Sequence, residues 1–447
     1  MKHYSMATAT LVGILLLLSV TSAVAKEYDY INISDPFLKK TPIAVTRFKA
    51  FNTAEDEIRE GARAEQILRD ALDFTGYLEV MNANAFLSDP AETGIALGQI
   101  NFRDWTGIGA DLLITGGIKA EQGLYMLELR LFDTLNTKLL LGRRYHSVGK
   151  EKIRSTIHRF CSELSFELTG NYGVFGSQIS FVSTVNGNKE IYIADFDGHN
   201  PRRITRHNSI SLSPAWSHDG QWLAYVSYAQ GKPDIFIKHL KENRGAIVNY
   251  DGMNIAPDWM PDQLKLAATL SFSGSQEIYL LTKKGEIIKR VTKSWGVNVS
   301  PRFSPDGKQI AFTSSRGGTP QIYIQNLETG EVGRVTFEGR YNTSPAWSPD
   351  GKKIAYVGIE KNRINIFVMS VDPGAGAPVQ LTMDQGDNED PTWSPDGSLI
   401  AFKSNRQGGV SRLFVMTAAG KDQRRLLHMK GQQSQPSWSA AFKTWDD

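Results

Sequence analysis

The sequence contains a single cysteine, Cys161, among 447 residues. An internal disulfide is therefore excluded, so packing alone must hold the fold together, even in an oxidising compartment. Cys161 lies on the apolar face of a helical pattern, which predicts a buried, unreactive thiol. An excess of one charge is also lacking, because 50 basic and 47 acidic residues leave a net charge of +3. Without a long Lys/Arg cluster, this balance gives no electrostatic basis for nucleic-acid binding.

Sequence signatures of catalysis are missing as well. The chain has no Gly-x-Ser-x-Gly nucleophile elbow, no P-loop and no dinucleotide-binding fingerprint. The histidines after residue 25 fall at no common offset within the repeat described below, whereas a metal site built from equivalent positions would need one. We therefore predict that the chain is not an enzyme.

Long apolar runs are confined to the N-terminus. Lys2 and His3 precede an apolar core of 12 residues, 9–20, and the small residues Ala23-Val24-Ala25 follow it. This order predicts a signal peptide over 1–25, cleaved after Ala25. The run is shorter than the roughly 20 residues that a spanning helix needs. We expect a periplasmic protein without membrane insertion.

One motif, built around Pro-x-Trp-Ser-Pro-Asp-Gly, recurs through the C-terminal two-thirds of the chain. Its aromatic residues are Trp216, Trp259, Phe303, Trp347, Trp393 and Trp438, at spacings of 43, 44, 44, 46 and 45. Strand-like runs such as 309–313, 321–325 and 333–336 follow the motif, which makes four strands, A to D, in each repeat. A period of this length with this content is typical of β-propeller blades.

The two ends of the repeat region are each incomplete. Strands B to D near 179–182, 190–193 and 202–205 lack a strand A, and the motif at Trp438 has no strands after it. The C-terminal strand is therefore predicted to complete the first blade, closing a six-bladed propeller over residues 173–447. We expect the aromatic residues to fill space between blades and the Asp-Gly pairs to form turns.

A small α/β domain is predicted over residues 26–172, before the propeller. Strands are expected at 42–48, 77–80, 111–118, 125–133 and 138–146, with a short helix at 101–108. A helix over 54–74 should bury Ile58, Ala62, Leu68, Ala71 and Leu72, and one over 150–168 should bury a face that includes Phe160 and Cys161.

The N-terminal peptide 26–37 has an extended character but carries no turn signal that ties it to a partner strand. It is either an edge strand of the domain or a free peptide that adds to the sheet of a partner. Its candidate contact residues are Glu27, Tyr28, Tyr30, Ile31 and Ile33.

The chain resembles the TolB family of the Tol-Pal system in three features taken together. These are a cleaved signal, six such blades, and the α/β domain with its stretches 111–117 and 129–134. The resemblance covers nearly the whole chain after residue 25. It implies a scaffold that supports outer-membrane integrity and invagination at cell division. It also implies two partners, the lipoprotein Pal at one propeller mouth and TolA on the peptide 26–37. We expect a monomer. The alternative is a carbohydrate-binding or lyase-type propeller, and capture of a lipoprotein or retention on glycan would separate the two.

One mouth of the channel is the candidate partner-binding site, because strand A is innermost in a blade. Five residues before each aromatic stands a neutral hydrogen-bonding side chain: Ser211, Asn254, Asn298, Asn342, Asn388 and Gln433. These side chains either tie the turns before strand A or form a polar docking ring, and the two roles are compatible. The resemblance implies Pal contacts at the neighbouring positions Ile255, Ala256, Val299, Ser300, Thr343, Ser344 and Glu389. Tyr341 is a candidate aromatic anchor.

An acidic stretch enters the same mouth. Because clustered carboxylates suit hard cations, a calcium ion near Asp384, Asp387 and Asp390 is one expectation. Their spacing fits no EF-hand, and a solvated acidic loop is the alternative.

Overall fold

The structure is a computed structural model that describes residues 31, 33, 39–52, 54–87, 93–360, 362–372 and 374–441. The predicted signal peptide and most of the N-terminal peptide, including the candidate contact residues Glu27, Tyr28 and Tyr30, lie outside the described residues. None of the helices within these ranges is long and apolar enough to cross a bilayer.

The N-terminal part is a six-stranded sheet with helices, in the strand order β3-β1-β4-β5-β6 and with β2 paired to β4. Its strands are β1 (Thr41–Val45), β2 (Lys49–Ala50), β3 (Leu78–Val80), β4 (Leu112–Glu121), β5 (Leu124–Asp133) and β6 (Lys138–Val148). Its helices are α1 (Glu55–Phe74), α2 (Phe102–Gly107) and α3 (Ile153–Thr169), with 3-10 turns at Ala83–Ala85, Leu97–Gln99 and Lys150–Lys152. The predicted α/β character of this part is confirmed.

The buried face of α1 differs from the predicted one. Ile58 and Ala62 are exposed, so that part of the prediction was wrong. Glu57 and Glu60 are buried instead; Glu57 Oε1 accepts from the Ala120 N–H at 2.6 Å, and Glu60 pairs with Lys150 at 2.7 Å. These partners lie on distant elements, so helical periodicity could not reveal that the carboxylates would be satisfied inside.

Helix α3 buries the face that its sequence predicts. Phe160 and Cys161 have no exposed surface, and burial raises the pKa of the Cys161 thiol. The helix ends at Gly170, whose φ of 74° is the left-handed conformation that commonly terminates helices.

The C-terminal part is a ring of six four-stranded antiparallel blades, as predicted. Strands A to D of blade 1 are β30 (Gln433–Trp438), β7 (Gln178–Ser183), β8 (Glu190–Asp195) and β9 (Arg202–Arg203). Blade 2 has β10 (Ser211–Trp216), β11 (Trp222–Ser227), β12 (Asp234–His239) and β13 (Gly245–Val248). Blade 3 has β14 (Asn254–Trp259), β15 (Lys265–Leu270), β16 (Glu277–Thr282) and β17 (Ile287–Arg290).

The other three blades repeat this order. Blade 4 has β18 (Asn298–Phe303), β19 (Gln309–Ser314), β20 (Gln321–Asn326) and β21 (Val332–Arg334). Blade 5 has β22 (Asn342–Trp347), β23 (Lys353–Glu360), β24 (Arg363–Ser370) and β25 (Val379–Gln380). Blade 6 has β26 (Asn388–Trp393), β27 (Leu399–Ser404), β28 (Arg412–Thr417) and β29 (Arg424–Arg425). The A strands of neighbouring blades contact one another all round, so they line the channel.

The C-terminal strand closes the ring. Strand β30 pairs antiparallel with β7, with Trp438 opposite Ile179 and Gln433 opposite Ser183. The Trp438 indole Nε1 donates to Ser177 Oγ at 2.8 Å. This pairing confirms that the tail supplies strand A of the first blade.

The tryptophans join neighbouring blades, as expected from the motif. The indole N–H groups of Trp216, Trp347 and Trp393 donate to backbone carbonyls of the preceding blade, at 3.0, 3.1 and 3.1 Å. In blades 2, 4, 5 and 6 the turn that follows is tied by its aspartate; Asp306 Oδ1, for example, accepts from Ser304 Oγ and from the Lys308 N–H. The motif residues are therefore structural.

One hydrophobic core spans both parts of the molecule. Leu68 of α1, Phe160 of α3, Phe181 of blade 1 and Leu399 of blade 6 belong to the same buried cluster. The N-terminal part therefore packs firmly onto the propeller on the side of these blades.

Candidate protein-binding site

The two mouths of the channel differ in what covers them. The A–B and C–D turns form one mouth, and the N-terminal part packs there: Arg424 Nη2 donates to the Phe74 carbonyl at 2.6 Å, and Lys40 pairs with Asp422. The D–A and B–C loops form the opposite mouth, which we call the loop mouth. Since the N-terminal part is attached at the other end, the loop mouth is the end available to a partner.

The six polar side chains five residues before the aromatics are buried at the loop mouth, with 0–2% of their surface exposed. Five of them are amides that tie the D–A loops: Asn254 donates to the Tyr250 carbonyl at 2.7 Å, and Asn342 to the Glu338 carbonyl at 2.7 Å. Asn298, Asn388 and Gln433 donate in the same way to Ser294 Oγ, the Gly386 carbonyl and the Gly431 carbonyl. The turn-tying role is confirmed, and burial leaves these side chains almost no surface to offer as a docking ring.

The amide oxygens are satisfied in some blades and not in others. Arg316 donates to Asn298 Oδ1 at 2.9 Å and Arg406 to Asn388 Oδ1 at 2.8 Å, each guanidinium lying over two aromatic rings. Within the described residues, Asn254 Oδ1, Gln433 Oε1 and the Ser211 hydroxyl are buried without a hydrogen-bond partner. The blades of these residues lack the matching arginine, so the loop mouth holds unequal blades.

The next two positions of each A strand are half-buried and line the channel. They include Ile255, Val299, Thr343 and Glu389, followed by Ala256, Ser300, Ser344 and Asp390. The second of each pair sits in a bulge with a left-handed backbone, with φ between 50° and 56° in all six blades. Such a conformation disfavours large side chains and holds the channel wall in one defined shape.

Charged and polar side chains join neighbouring A strands around the channel. Arg302 pairs with Asp258 on the neighbouring strand at 3.0 Å. Asp390 Oδ2 accepts from the Gln435 N–H at 3.1 Å, and Gln435 Oε1 accepts from the Ser213 N–H at 2.8 Å. Burial raises the pKa of Asp258 and of Asp390, and the charge of Glu389 raises that of Asp390 further.

The surface of the loop mouth comes from the position six residues before each aromatic, which the sequence analysis singled out only at Tyr341 and, as a candidate calcium ligand, at Asp387. Ile210, Met253, Val297 and Tyr341 occupy it in blades 2 to 5, and Tyr341 is 38% exposed. Blades 6 and 1 have Asp387 and Gln432 there. The sequence did carry this signal, because four apolar residues at one blade offset are unexpected in loops.

Aromatic side chains of the surrounding loops extend this apolar surface. Trp295, which is 91% exposed, and Phe337 lie in D–A loops, and Phe272 lies in a B–C loop beside Tyr250. Together with the four apolar residues above, they form what we call the apolar arc, over blades 2 to 5. The acidic loop with Asp384, Asp387 and Glu389 occupies blade 6. The loop mouth therefore has an apolar side and an acidic side.

The acidic loop does not gather its carboxylates into one site. Asp387 Oδ2 accepts from Asn405 Nδ2 at 3.2 Å, while Asp390 faces the Gln435 N–H and Glu389 pairs with Lys403. In the described part of the chain, no group of three His, Cys, Asp or Glu side chains is arranged to hold a metal ion. Calcium binding here stays a prediction.

Two residues of the predicted N-terminal peptide are described, and both touch the body of the protein. Ile31 is buried, and its N–H donates to the Leu168 carbonyl at the end of α3 at 3.1 Å. Ile33 is half-buried, packs on the core that spans both parts and lines a cleft beside Tyr77 and Trp393. Ile31 and Ile33 are thus held against the body of the protein, Ile33 near the interface between the two parts.

A small α/β part and a closed six-bladed propeller with one free, partly apolar mouth define a propeller-type interaction scaffold. The chain matches the model of the TolB amino-terminal domain over residues 29–140 and that of the TolB beta propeller domain over residues 166–442. The chain belongs to the TolB family.

Individual relatives agree over nearly the full length. The chain is 56% identical to "Tol-Pal system protein TolB" of Desulfosudis oleivorans over 98% of this chain and 99% of that protein. It is 40% identical to "Protein TolB homolog" of Chlorobium luteolum over 94% of each chain. The crystal structure of TolB from Acinetobacter baumannii matches with a TM-score of 0.78 and 28% identity, covering 90% of this chain and 97% of that one.

Proposed function

We propose that this chain is a periplasmic, non-catalytic scaffold of the Tol-Pal system that binds Pal at the loop mouth and TolA through residues 26–37. In this role it supports outer-membrane integrity and invagination during cell division. The observation that carries the proposal is the apolar arc, which leaves Trp295, Phe337 and Tyr341 exposed at the one mouth that the N-terminal part does not cover. Exposed aromatic residues grouped at one site are typical of protein-binding surfaces.

The two sides of the loop mouth fix how Pal would lie on it. An apolar patch of Pal packs on the arc over blades 2 to 5, and a basic or hydrogen-bonding group faces the acidic loop of blade 6. Ile255, Ala256, Val299, Ser300, Thr343 and Ser344 form the wall of the channel just inside, where a protruding segment of Pal would reach. The buried amides act indirectly in this arrangement, because they hold the loops that carry the arc.

Calorimetric titration with the soluble domain of Pal tests this site. Phe337→Ala and Tyr341→Ala remove exposed rings and should each weaken binding by about 2 kcal/mol, or roughly 30-fold, as expected for aromatic anchors. Ala256→Trp and Thr343→Trp should weaken it by filling the channel wall. Leu135→Ala is the matched control, since Leu135 is 71% exposed on the N-terminal part. Unchanged affinity in all four loop-mouth variants would reject the site.

Deletion of residues 26–37 tests the second partner. We expect the deletion to abolish TolA binding and to leave Pal binding intact, because Ile31 and Ile33, the two described residues of the peptide, contact the body of the protein away from the loop mouth. Ile31 and Ile33 belong to the deleted segment and contact the core, so the unfolding midpoint must be measured alongside. Equal loss of both partners in a folded variant would contradict two separate sites.

A further inference from the structure

Trp295 is the most exposed large apolar side chain that the structure describes, with 91% of its surface exposed. It lies in the D–A loop 291–297, which leads from β17 of blade 3 into β18 of blade 4. Because so little of the indole ring touches the protein, its position depends on how the backbone of this loop is held. The contacts of the loop therefore decide where the ring is presented.

The D–A loop 291–297 is seated on the B–C turn of blade 4. Gly296 makes the close approach possible, since its φ is 79° and a Cβ atom there would lie 2.5 Å from Ser315 Oγ. The Val297 N–H donates to the same Ser315 Oγ at 3.0 Å. The loop is thus fixed to the turn that carries Arg316.

Arg316 connects that turn to Asn298, the first residue of β18. Its Nη2 donates to Asn298 Oδ1 at 2.9 Å, and its Nε donates to Ser314 Oγ at 3.0 Å. The guanidinium also lies over the rings of Phe312 and Tyr323, at 5.3 and 4.8 Å from their centres. A planar group held by two hydrogen bonds and two rings keeps the Asn298 amide in one orientation.

The Asn298 amide carries this constraint to the backbone at Trp295. Its Nδ2 donates to Glu277 Oε2 at 3.0 Å and to Ser294 Oγ at 3.1 Å. The Ser294 hydroxyl in turn donates to the Trp295 carbonyl at 3.3 Å. A continuous hydrogen-bonded network therefore joins Arg316 to the loop residue that bears the exposed indole.

The neighbouring blade lacks this arrangement. In the strand register of blade 5, Glu360 holds the position that Arg316 holds in blade 4. Phe337, the exposed aromatic residue of the D–A loop that leads into blade 5, therefore stands on a loop without the arginine. The two exposed aromatic residues provide a contrast within one surface.

We propose that Arg316 is a positioning residue for docking, which holds the loop so that the Trp295 indole enters an apolar pocket of the partner. This inference rests on the proposed docking of Pal at the loop mouth, and it adds which side chain is the central anchor and what orients it. Tryptophan is among the residues most enriched at binding hot spots. An anchor that is already ordered in the free protein avoids the entropy cost of ordering at the moment of binding.

A double-mutant cycle measured by calorimetry with the soluble domain of Pal tests the role of Arg316. W295A should weaken binding about 30-fold and R316Q about fivefold. The double variant R316Q/W295A should bind no worse than W295A, because the arginine acts only through the indole. In R316Q/F337A the two single losses should multiply, since Phe337 does not depend on Arg316.

R244Q is the matched control for the loss of a stacked arginine. Arg244 lies over the Trp222 ring at 4.9 Å, at the opposite mouth, so R244Q should bind Pal as the unaltered protein does. R316K, which keeps the charge but not the planar fork, replaces R316Q if that variant does not fold.

Hydrogen exchange of the free protein gives a second measurement that does not need Pal. In R316Q the amides at 293–298 should exchange about tenfold faster, while β19 (Gln309–Ser314) exchanges as in the unaltered protein. A merely structural arginine would lower the stability of the whole blade and leave the cycle with Trp295 additive.

The outcomes separate this inference from the docking proposal. Multiplied losses in R316Q/W295A, unchanged exchange at 293–298, or equal weakening in R244Q would overturn the positioning role. Weaker binding in F337A with unaltered binding in W295A would also overturn it, while Pal docking would stand. Unaltered affinity in W295A, F337A and Y341A alike would reject the docking site, and the positioning role with it.

Discussion

Replacing Trp438 with alanine should open the ring at the place where the tail closes it. The Trp438 side chain is 8% exposed, belongs to the core shared by both parts, and donates to Ser177 Oγ. Truncation of a buried tryptophan costs about 3–5 kcal/mol. Since each kcal/mol moves the midpoint of a domain of this size by about 2–4 °C, the thermal midpoint should fall by roughly 6–20 °C.

The strand that loses protection against hydrogen exchange distinguishes opening of the ring from a general loss of core packing. Trp347→Ala is the matched variant, because Trp347 is also buried, at 9% exposed, and its indole N–H also makes a hydrogen bond, to the Arg302 carbonyl of the preceding blade. Both variants should lose stability, as seen by calorimetry. Amide hydrogen exchange of β7 (Gln178–Ser183) should accelerate strongly only in Trp438→Ala, because β30 is the strand that covers that edge. An unaltered midpoint, or equal acceleration in both variants, would refute closure by the tail.

Three further perturbations follow from the loop mouth. Asn298→Leu should cost about 2–3 kcal/mol in urea unfolding, because Arg316 and Glu277 would both lose a buried hydrogen bond; no loss would show that the amide does not tie its loop. Asp390→Asn should raise the unfolding midpoint at pH 7. Burial and the charge of Glu389 raise the pKa of Asp390, so the folded state holds the carboxyl proton more tightly than the unfolded chain does. The stability of the unaltered protein therefore falls as pH rises from the unfolded pKa through the folded pKa. The advantage of the variant should vanish at a pH below both values, and a constant difference would contradict this. Calcium binding near Asp384, Asp387 and Asp390 would give a saturable heat that Asp387→Asn abolishes, and the absence of any heat would reject it.

The blade architecture could be predicted because it depends on local and repeated signals. The spacing of the aromatics gave the period, and the incomplete ends near Ile179 and Trp438 gave the closure that the structure shows. The buried face of α3 followed in the same way, since apolar residues at helical spacing face one core.

The exposed residues of the loop mouth could be predicted only in part. The amides from Asn254 to Gln433 recur five residues before the aromatics, and this regular spacing made them candidates for the docking surface. In the structure they are buried supports of the loops. The exposed position is one residue earlier, and its apolar character matters only because the fold gathers Val297 and Tyr341 with Trp295 on one rim. The burial of Glu57 and Glu60 could not be predicted for a similar reason, because their partners, Ala120 and Lys150, are distant in sequence.

Hydrogen exchange of the protein with and without the soluble domain of Pal tests the docking account most directly. The account predicts slower exchange in the D–A loops at 293–298 and 337–343, with little change in the turns at 283–286 and 418–422 on the opposite mouth. Protection of those turns, with unaltered exchange in the loops around Trp295 and Tyr341, would contradict it.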